Sequence, residues 1–445
     1  MNALDSYAPT EDWTRRTRTP TVIGRKKAVS RVVAPAALRV IVVSLFLPEE
    51  LSFTLLGLRL TVTRLILLVL TPILLMRVGR MLGTGRYRFV LSDLFVPLAG
   101  LWMIIGPSNV VGIEAASNHG GPIALEFCIG YMATRVLLSE HGQALSFAGL
   151  LCCGIAIVGL LGTLDVLTNE HFLRHLAGRI TGYVTPSVSQ GDDHRLGLLR
   201  AMSTLDHPIL FGIACAIGLL IVASVPIPKR KFAILGCTVG ALLSLSSAPV
   251  QGIVVGFGLL LYDRLFSATQ LRWACLIASA AAGMVILLTL VDAPLDFVFR
   301  YFIFDPETGW FRILIWQVDV QALMQSPWVG LGFEFLEDYQ LPATVDSVWL
   351  ESALTFGIPG SVLIALSIIG ATSLPTNGLH VHLTTAESKL GTILGIVIFL
   401  IVFWGFTVHF WGAVWILIAL LTGVRAHLGE LGRIGVGQRM RPRVI

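Results

Sequence analysis

Long apolar runs separated by short polar connections repeat along most of the chain. A membrane-spanning helix needs about 20 mostly apolar residues, and broken or tilted helices can be read from somewhat shorter runs. Runs of this kind predict an all-α polytopic membrane protein with about twelve transmembrane helices. The predicted spans lie near residues 34–56, 59–78, 90–107, 121–138, 144–166, 206–225, 232–247, 249–263, 272–292, 347–371, 392–408 and 410–424.

Lysine and arginine gather in short runs beside the apolar segments, and their placement predicts the orientation of the chain. RTRT and GRKK precede the first span, MRVGRMLGTGRYR follows the second, PKRK follows the sixth and RIGVGQRMRPR ends the chain. All of these runs fall on one side if the spans number about twelve, so we expect both termini to be cytoplasmic. The predicted regions are an N-terminal tail, a transmembrane domain and a basic C-terminal tail, at residues 1–33, 34–425 and 426–445.

Two longer polar segments fall on the opposite side, near residues 167–205 and 293–346. Both carry arginines, although positive charge is unfavourable on that side of a membrane. The second segment lies between the predicted spans 9 and 10. Within it, Arg312, Trp316, Asp319 and Leu323 recur at helical spacing, which predicts a short helix outside the membrane.

Composition excludes several classes of function. Hydrophobic residues make up 55% of the chain and charged residues 13%, and the net charge of +5 follows the membrane topology instead of forming a nucleic-acid footprint. The six cysteines lie in apolar runs without a C-x-x-C pair, so neither a disulfide framework nor a zinc site is predicted. There is also no phosphate-binding loop and no H-E-x-x-H motif. We therefore expect no metal and no cofactor.

Two arginines are candidates for binding a phosphate group. Arg200 stands where the first polar segment re-enters the membrane, and Arg312 lies in the second segment. A guanidinium group keeps its charge and grips phosphate oxygens with two parallel hydrogen bonds, so two arginines converging on one site would suit a diphosphate. Alternatively, both could reach lipid headgroups or cap helices.

Asp346 is the candidate general base, because it is an ionisable group placed at the start of the tenth span. The alternative is that Asp346 caps that helix by accepting a backbone N–H. Glu126 lies well inside the fourth span, where a carboxylate indicates either a functional cavity or a buried partner. Asp206 and His207 could line the outer mouth beside Arg200, or could simply begin a helix.

Three segments resemble the O-antigen ligase and O-antigen polymerase superfamily of bacterial surface polysaccharide enzymes. RAMSTLDHPILFG, from residue 200, is similar to the family's arginine segment, and FRILIWQVDVQALMQSPWVGLG, from residue 311, to its Arg, Trp and Pro-x-x-Gly-x-Gly signature. DSVWLESALTFGIPG, residues 346–360, keeps the spacing of the family's His-Asn, nine residues, Gly-x-x-Gly pattern, with the first two residues changed to Asp346 and Ser347. The resemblance covers roughly residues 90 to 425.

The resemblance implies a GT-C-like membrane glycosyltransferase in the bacterial inner membrane, with a large periplasmic loop between spans 9 and 10. Members of this family carry out metal-independent, inverting transfer of a glycan from a polyprenyl-diphosphate-linked donor to a sugar hydroxyl at the outer face of that membrane. By position, Arg200 and Arg312 would bind the diphosphate, and Asp346 would occupy the place of the catalytic histidine. Glu126, Asp206, His207, Trp316 and Asp319 are candidates to line the cavity or to support these groups.

The change of histidine to Asp346 is the main departure from the family pattern. A carboxylate is ordinarily a weaker base than imidazole, so it would need help from burial. This favours a polymerase of exopolysaccharide or O-antigen over a ligase that joins glycan to the lipid A core. The expected partners are the lipid-linked oligosaccharide, a growing polysaccharide or lipid acceptor, membrane lipid and other polysaccharide-assembly proteins.

Two further functions remain open. One is a transporter or flippase of lipid-linked oligosaccharide, which would also need many spans and arginines for a diphosphate. The other is a non-catalytic scaffold or sensor of a polysaccharide machine, for which the changed histidine is the best argument.

Overall fold

Helices make up almost all of the regular structure. The computed structural model describes residues 32–55, 58–84, 87–183, 194–269, 271–290, 306–333, 345–378 and 381–433, without the side chains of residues 58 and 306–312. The helices are α1 Ala36–Leu45, α2 Val62–Gly83, α3 Leu91–Leu137, α4 Gln143–Thr168, α5 Phe172–Thr181, α6 Pro208–Ser224, α7 Arg230–Leu243, α8 Ser247–Leu265, α9 Arg272–Leu290, α10 Pro306–Leu323, α11 Val348–Gly370, α12 Thr385–Trp404 and α13 Gly412–Arg433. Two antiparallel hairpins pair β1 Ser52–Leu55 with β2 Leu58–Thr61, and β3 His194–Arg195 with β4 Leu198–Leu199.

Seven helices in the described residues are long and apolar enough to cross a membrane: α2, α3, α4, α9, α11, α12 and α13. This confirms a helical multi-pass membrane protein. The number of about twelve spans stays a prediction.

Helix α3 contains two segments that fold back on each other at Gly112, whose φ of 81° and ψ of 158° interrupt the helix. The Cys128 thiol donates to the carbonyl of Val96 at 3.4 Å, and the Tyr131 hydroxyl donates to Asp93 at 2.6 Å. These pairs run in opposite directions along the two segments, so residues 91–111 and 113–137 form an antiparallel hairpin. They correspond to the predicted spans at 90–107 and 121–138.

Helix α11 is interrupted in the same way at Gly357, with a φ of 75° and a ψ of 167°. Ser361 donates a hydrogen bond to the carbonyl of Trp349 at 2.9 Å, although twelve positions separate them. Residues 348–356 therefore turn back against residues 358–370. The predicted span at 347–371 is thus interrupted, because a left-handed glycine breaks the helix after its first nine residues.

Helix α13 lies at the centre of the bundle, since 94% of its most apolar window is buried. Trp415 stacks on Phe127 at 4.7 Å, and Thr134 donates to the carbonyl of Leu420 at 2.8 Å. The helix continues to Arg433, so the basic tail predicted to start at residue 426 begins within it. Residues 1–31 and 434–445, which form most of the two predicted tails, lie outside the described residues.

The two ends of the bundle differ in character. One end, which we call the basic end, carries Lys229, Arg230 and Arg433. The other, which we call the loop end, carries the connection from α4 to α6 and the turn at residues 405–411 between α12 and α13. By the distribution of positive charge, the basic end is the predicted cytoplasmic side.

Candidate functional site

A cluster of acids around Arg174 occupies the loop end. Arg174 lies on α5 and contacts Glu50 through Nε at 2.6 Å and Asp206 through Nη2 at 3.4 Å. Glu49 interacts with Asp206 through a side-chain hydrogen bond. We call Glu49, Glu50, Arg174 and Asp206 the acid–arginine cluster.

Asp206 is a carboxyl group of this cluster whose ionisation is strongly perturbed. Burial, and then the negative charge of Glu49, raise the pKa of Asp206 well above its usual range, against the opposing effect of Arg174. Two carboxyl groups that share a hydrogen bond favour holding one proton between them. Asp206 therefore differs from an ordinary surface aspartate.

His207 begins helix α6, which was one of the two predicted uses of this residue. Its Nδ1 accepts a hydrogen bond from the backbone N–H of Ile209 at 3.2 Å. Burial, and then the nearby charges of Arg200, Arg174 and Arg195, lower the pKa of His207 to about 4. The imidazole is therefore neutral at pH 7, and this state suits a hydrogen-bond acceptor.

Arg200 is buried, with 4% of the residue exposed, so it does not lie at the lipid surface. Its guanidinium donates to the Ser246 hydroxyl at 2.8 Å and to the carbonyl of Ser244 at 3.4 Å. Both serines belong to the turn between α7 and α8. These contacts fix a positive charge at the loop end, close enough to His207 to act on its ionisation.

Asp346 lies one position before the cap of helix α11. The cap itself is Ser347, whose hydroxyl accepts from the N–H of Leu350 at 3.3 Å and donates to the carbonyl of Gly405 at 2.9 Å. The alternative in which Asp346 caps the helix is therefore wrong. Asp346 is half-buried and lines a narrow cleft with Ile315, Trp316, Ser347, Phe406 and Thr407, and in this structure the cleft is too tight to admit a water molecule.

Helix α10 supplies the other wall of this cleft. Trp316 stacks on Phe406 with a centroid distance of 6.5 Å and donates to the Phe406 carbonyl at 3.3 Å. One turn later, Asp319 is fully buried, and neither of its oxygens has a hydrogen-bond partner among the described residues. Burial raises the pKa of Asp319 to about 6. Arg312 belongs to α10, but its side chain lies outside the described side chains.

The two glycine motifs of the chain dock against each other beside this cleft. The N–H of Leu331 donates to the carbonyl of Leu354 at 2.6 Å, and the N–H of Ile358 donates to the carbonyl of Pro327 at 2.8 Å. A Cβ on Gly330, which has a φ of 81°, would lie 2.6 Å from the carbonyl of Leu354, and one on Gly357 would collide with the carbonyl of Trp328. The Pro-x-x-Gly-x-Gly turn and the Gly-x-x-Gly break thus form one backbone-to-backbone contact.

The turn at residues 405–411 joins the two halves of the candidate site. On one side, the ring centres of Trp411 and His207 lie 5.8 Å apart. The backbone at Gly412, which follows the turn, comes so close to the carboxylates of Asp206 and Glu49 that a Cβ there would collide with them. On the other side the carbonyl of Val408 accepts from the N–H of Val348, two residues after Asp346, at 3.1 Å. The predicted residues Arg200, Asp206, His207, Trp316 and Asp346 therefore lie at the same end of the bundle.

Glu126 has a buried partner. Its Oε1 lies 2.6 Å from Nε of Arg64, which begins helix α2. Arg64 also donates to the carbonyl of Arg59 at 3.0 Å. The structure therefore shows a buried partner, and Glu126 also lines a small hollow together with Glu49, Thr61 and Ala413.

Sequence reasoning missed several polar residues of the loop end. Glu50 and Arg174 pair across 124 positions, and no local spacing reveals such a pair. The unfavourable positive charge of the segment at 167–205 was the available signal for Arg174. His409 is another such residue, and its Nδ1 lies 3.5 Å from Glu351. Its ring stacks on Trp411 at a centroid distance of 5.3 Å, so the rings of His207, Trp411 and His409 follow one another.

The fold defines a helical multi-pass membrane protein with a polar site at one end of its bundle. Residues 232–365 match the family model described as O-Antigen ligase, and this match supports the predicted resemblance to the O-antigen ligase/polymerase superfamily. The matched region runs from α7 into α11 and contains Trp316, Asp319 and Asp346. No curated protein matches the chain.

Proposed function

We propose that this protein is a glycosyltransferase that extends a surface polysaccharide at the loop end of its helical bundle. The donor would be a glycan carried on a polyprenyl diphosphate, and the acceptor a sugar hydroxyl of exopolysaccharide or O-antigen. The loop end would then be the periplasmic face of a bacterial inner membrane, with both termini in the cytoplasm. The match to the O-antigen ligase family supports a reaction on a lipid-linked polysaccharide.

Asp346 is the proposed general base. The observation that carries this assignment is that Ser347 caps helix α11, so the Asp346 carboxylate stands outside the helix in a cleft beside Trp316. A half-buried carboxylate in a cleft can accept a proton from a hydroxyl group without first breaking a helix cap. Trp316 and Phe406 would offer an aromatic surface to the apolar face of a sugar ring once the cleft widens around the acceptor.

The proposed reaction is a single displacement. Asp346 accepts the proton of the acceptor hydroxyl, and the acceptor oxygen attacks the anomeric carbon of the donor. The bond from that carbon to the diphosphate breaks, the electron pair leaves with the polyprenyl diphosphate, and the configuration inverts. Arg200 and Arg312 would neutralise the leaving diphosphate, because a guanidinium held in place stabilises developing charge with little reorganisation.

The acid–arginine cluster and His207 would support the site without entering the reaction. A His207 ring that is neutral at pH 7 would serve as a hydrogen-bond acceptor beside the positive charge of Arg200. Trp316 would contact the sugar, and Asp319 would lie behind it on α10. Glu126, held by Arg64, would stabilise the start of α2.

Purified protein in liposomes containing the lipid-linked donor tests the proposal. Asp346→Asn should lower formation of new glycosidic bonds by at least about 100-fold, the range for loss of a general base, while the protein stays folded and inserted. Glu170→Gln is the matched control, because Glu170 is an exposed acid at the loop end and 59% of its side chain is accessible. Normal polymer from Asp346→Asn would overturn the assignment of the base.

The same liposomes separate the alternatives. Transfer of glycan to a lipid A core acceptor without chain growth would identify a ligase. Movement of unaltered donor across the bilayer would identify a transporter, and binding of a polyprenyl diphosphate without turnover would identify a scaffold or sensor.

A further inference from the structure

Arg425 is a buried arginine of helix α13 whose charge is not balanced by an acid. Only 5% of the residue is exposed, and its two terminal nitrogens donate to the carbonyls of Ala371 and Leu374 at 3.3 and 3.0 Å. Its Nε has no hydrogen-bond partner among the described residues, and no described carboxylate lies within ion-pair distance of it. Arg135 and Arg174, by contrast, each contact carboxylates.

A buried guanidinium without a counter-charge is costly, so it normally marks either a functional site or a missing anion. The two carbonyl contacts satisfy part of its hydrogen-bonding capacity but none of its positive charge. An anion that reaches Arg425 would remove this cost.

Arg425 lines an apolar groove of about 540 Å³ between helices α8, α9 and α12. Helix α9 lines one side of the groove and has no buried residue within the described structure. The apolar walls include Val255, Trp273, Ile277, Ile396 and Phe399. Such walls suit a hydrocarbon chain.

A larger hollow of about 950 Å³ adjoins the groove, since both are lined by Thr376, Asn377 and Thr392. Its lining includes three cations, Arg264, Arg272 and Lys389, and a single acid, Asp263, which pairs with Arg272 at 2.8 Å. The excess of positive charge suits an anionic headgroup, and the adjoining apolar groove suits a hydrocarbon chain. The two together suit an anionic amphiphile. The hollow lies at the basic end, away from Asp346.

We infer that this groove binds an anionic phospholipid, with its phosphate beside Arg425 and an acyl chain between α8, α9 and α12. The bound lipid supplies the counter-charge that Arg425 lacks and covers the apolar face of α9. This inference does not depend on the proposed transfer reaction, because the site lies at the other end of the bundle and its test measures binding.

Native mass spectrometry of the protein in detergent, titrated with phosphatidylglycerol, tests the inference. Arg425→Gln should weaken binding by about tenfold or more, which corresponds to the loss of a hydrogen bond to a charged group. Arg433→Gln, an exposed arginine on the same helix, should bind as the unaltered protein does. Equal binding of phosphatidylglycerol and zwitterionic phosphatidylethanolamine, or unchanged binding to Arg425→Gln, would overturn the inference.

A second variant tests the inference if Arg425→Gln does not fold. Gly395 lines the groove, and a Cβ built on it meets no atom within 4 Å. Gly395→Phe should therefore fill the groove without disturbing the helix and should also lower binding by about tenfold or more. Full binding to this variant, or displacement of phosphatidylglycerol by an equal concentration of polyprenyl phosphate, would refute the phospholipid site.

Discussion

At the scale of single residues, the two aspartates near the cleft differ in how deeply their carboxyl groups are buried. Asp346 is half-buried at the start of α11, whereas Asp319 is fully buried on α10 without a hydrogen-bond partner among the described residues. A buried carboxyl group without partners favours its neutral form. Asp319 should therefore make the stability of the protein depend on pH.

We expect the Asp319→Asn variant to become more stable than the unaltered protein as pH rises. Burial raises the pKa of Asp319 to about 6, above the value of about 3.9 for an unfolded chain, so the folded protein holds the proton more tightly. This contribution to the unfolding free energy is complete below pH 4 and is lost as pH rises through about 6. The amide keeps the neutral form at every pH.

Thermal unfolding in detergent between pH 4.5 and pH 8 checks this expectation. The melting temperature of Asp319→Asn should exceed that of the unaltered protein by about 2 °C or more above pH 6, and the difference should shrink towards pH 4.5. Glu170→Gln should give no such trend. A constant difference across this range would contradict the role given to Asp319.

The sequence indicated the residues of the candidate site better than it indicated their contacts. Asp346 and His207 lie at helix starts, as their positions predicted, but the cap of α11 is Ser347 because the cap depends on the local backbone direction. The partner of Glu126 is Arg64, 62 positions away on another helix, and helical spacing cannot show such a contact.

At the scale of elements, the break in α11 depends on Gly357. Its φ of 75° and ψ of 167° belong to a region open almost only to glycine, and a Cβ there would meet the carbonyl of Trp328. The spacing of the two glycine motifs was evident in the sequence. Their direct contact was not, because it joins residues 327–332 to residues 354–358 across a segment with no periodic pattern.

Replacement of Gly357 by alanine should therefore destabilise the site region by about 2 kcal/mol or more, since it adds backbone strain and a collision. The measurement is the thermal stability of the purified variant, together with protease cleavage in the segment between α10 and α11. Gly258→Ala on α8 is the control, because a Cβ there meets no atom within 4 Å and alanine favours a helix. Equal stability of the two variants would show that the break does not need glycine.

At the scale of the whole molecule, an ionic network ties the α3 hairpin to the central helix at the basic end. Arg135 contacts Asp93 at 2.9 Å and also pairs with Glu430 of α13, while its guanidinium lies 4.6 Å from the ring centre of Tyr87. The sequence predicted the bundle and the polarity of its ends from hydropathy and charge. It could not predict this network, because Glu430 lies 295 positions from Arg135 along the chain.

We expect Arg135→Met to cost about 3–5 kcal/mol of stability, because it leaves two buried carboxylates without their partner. Heating followed by size-exclusion chromatography in detergent measures the surviving folded fraction. The triple variant Arg135→Met, Asp93→Asn and Glu430→Gln should recover most of the loss, and Arg80→Met, at the exposed end of α2, should cause none. A stable Arg135→Met would exclude a structural role for the network.

The same network has a consequence for biosynthesis. Asp93 and Arg135 are 42 positions apart within one helical hairpin, whereas Glu430 is made 295 positions after Arg135. The nascent hairpin can therefore enter the bilayer with its arginine already neutralised by Asp93, which lowers the cost of inserting that charge. Helix α13, made later, then brings the second carboxylate, so the network is complete only after α13 has been synthesised.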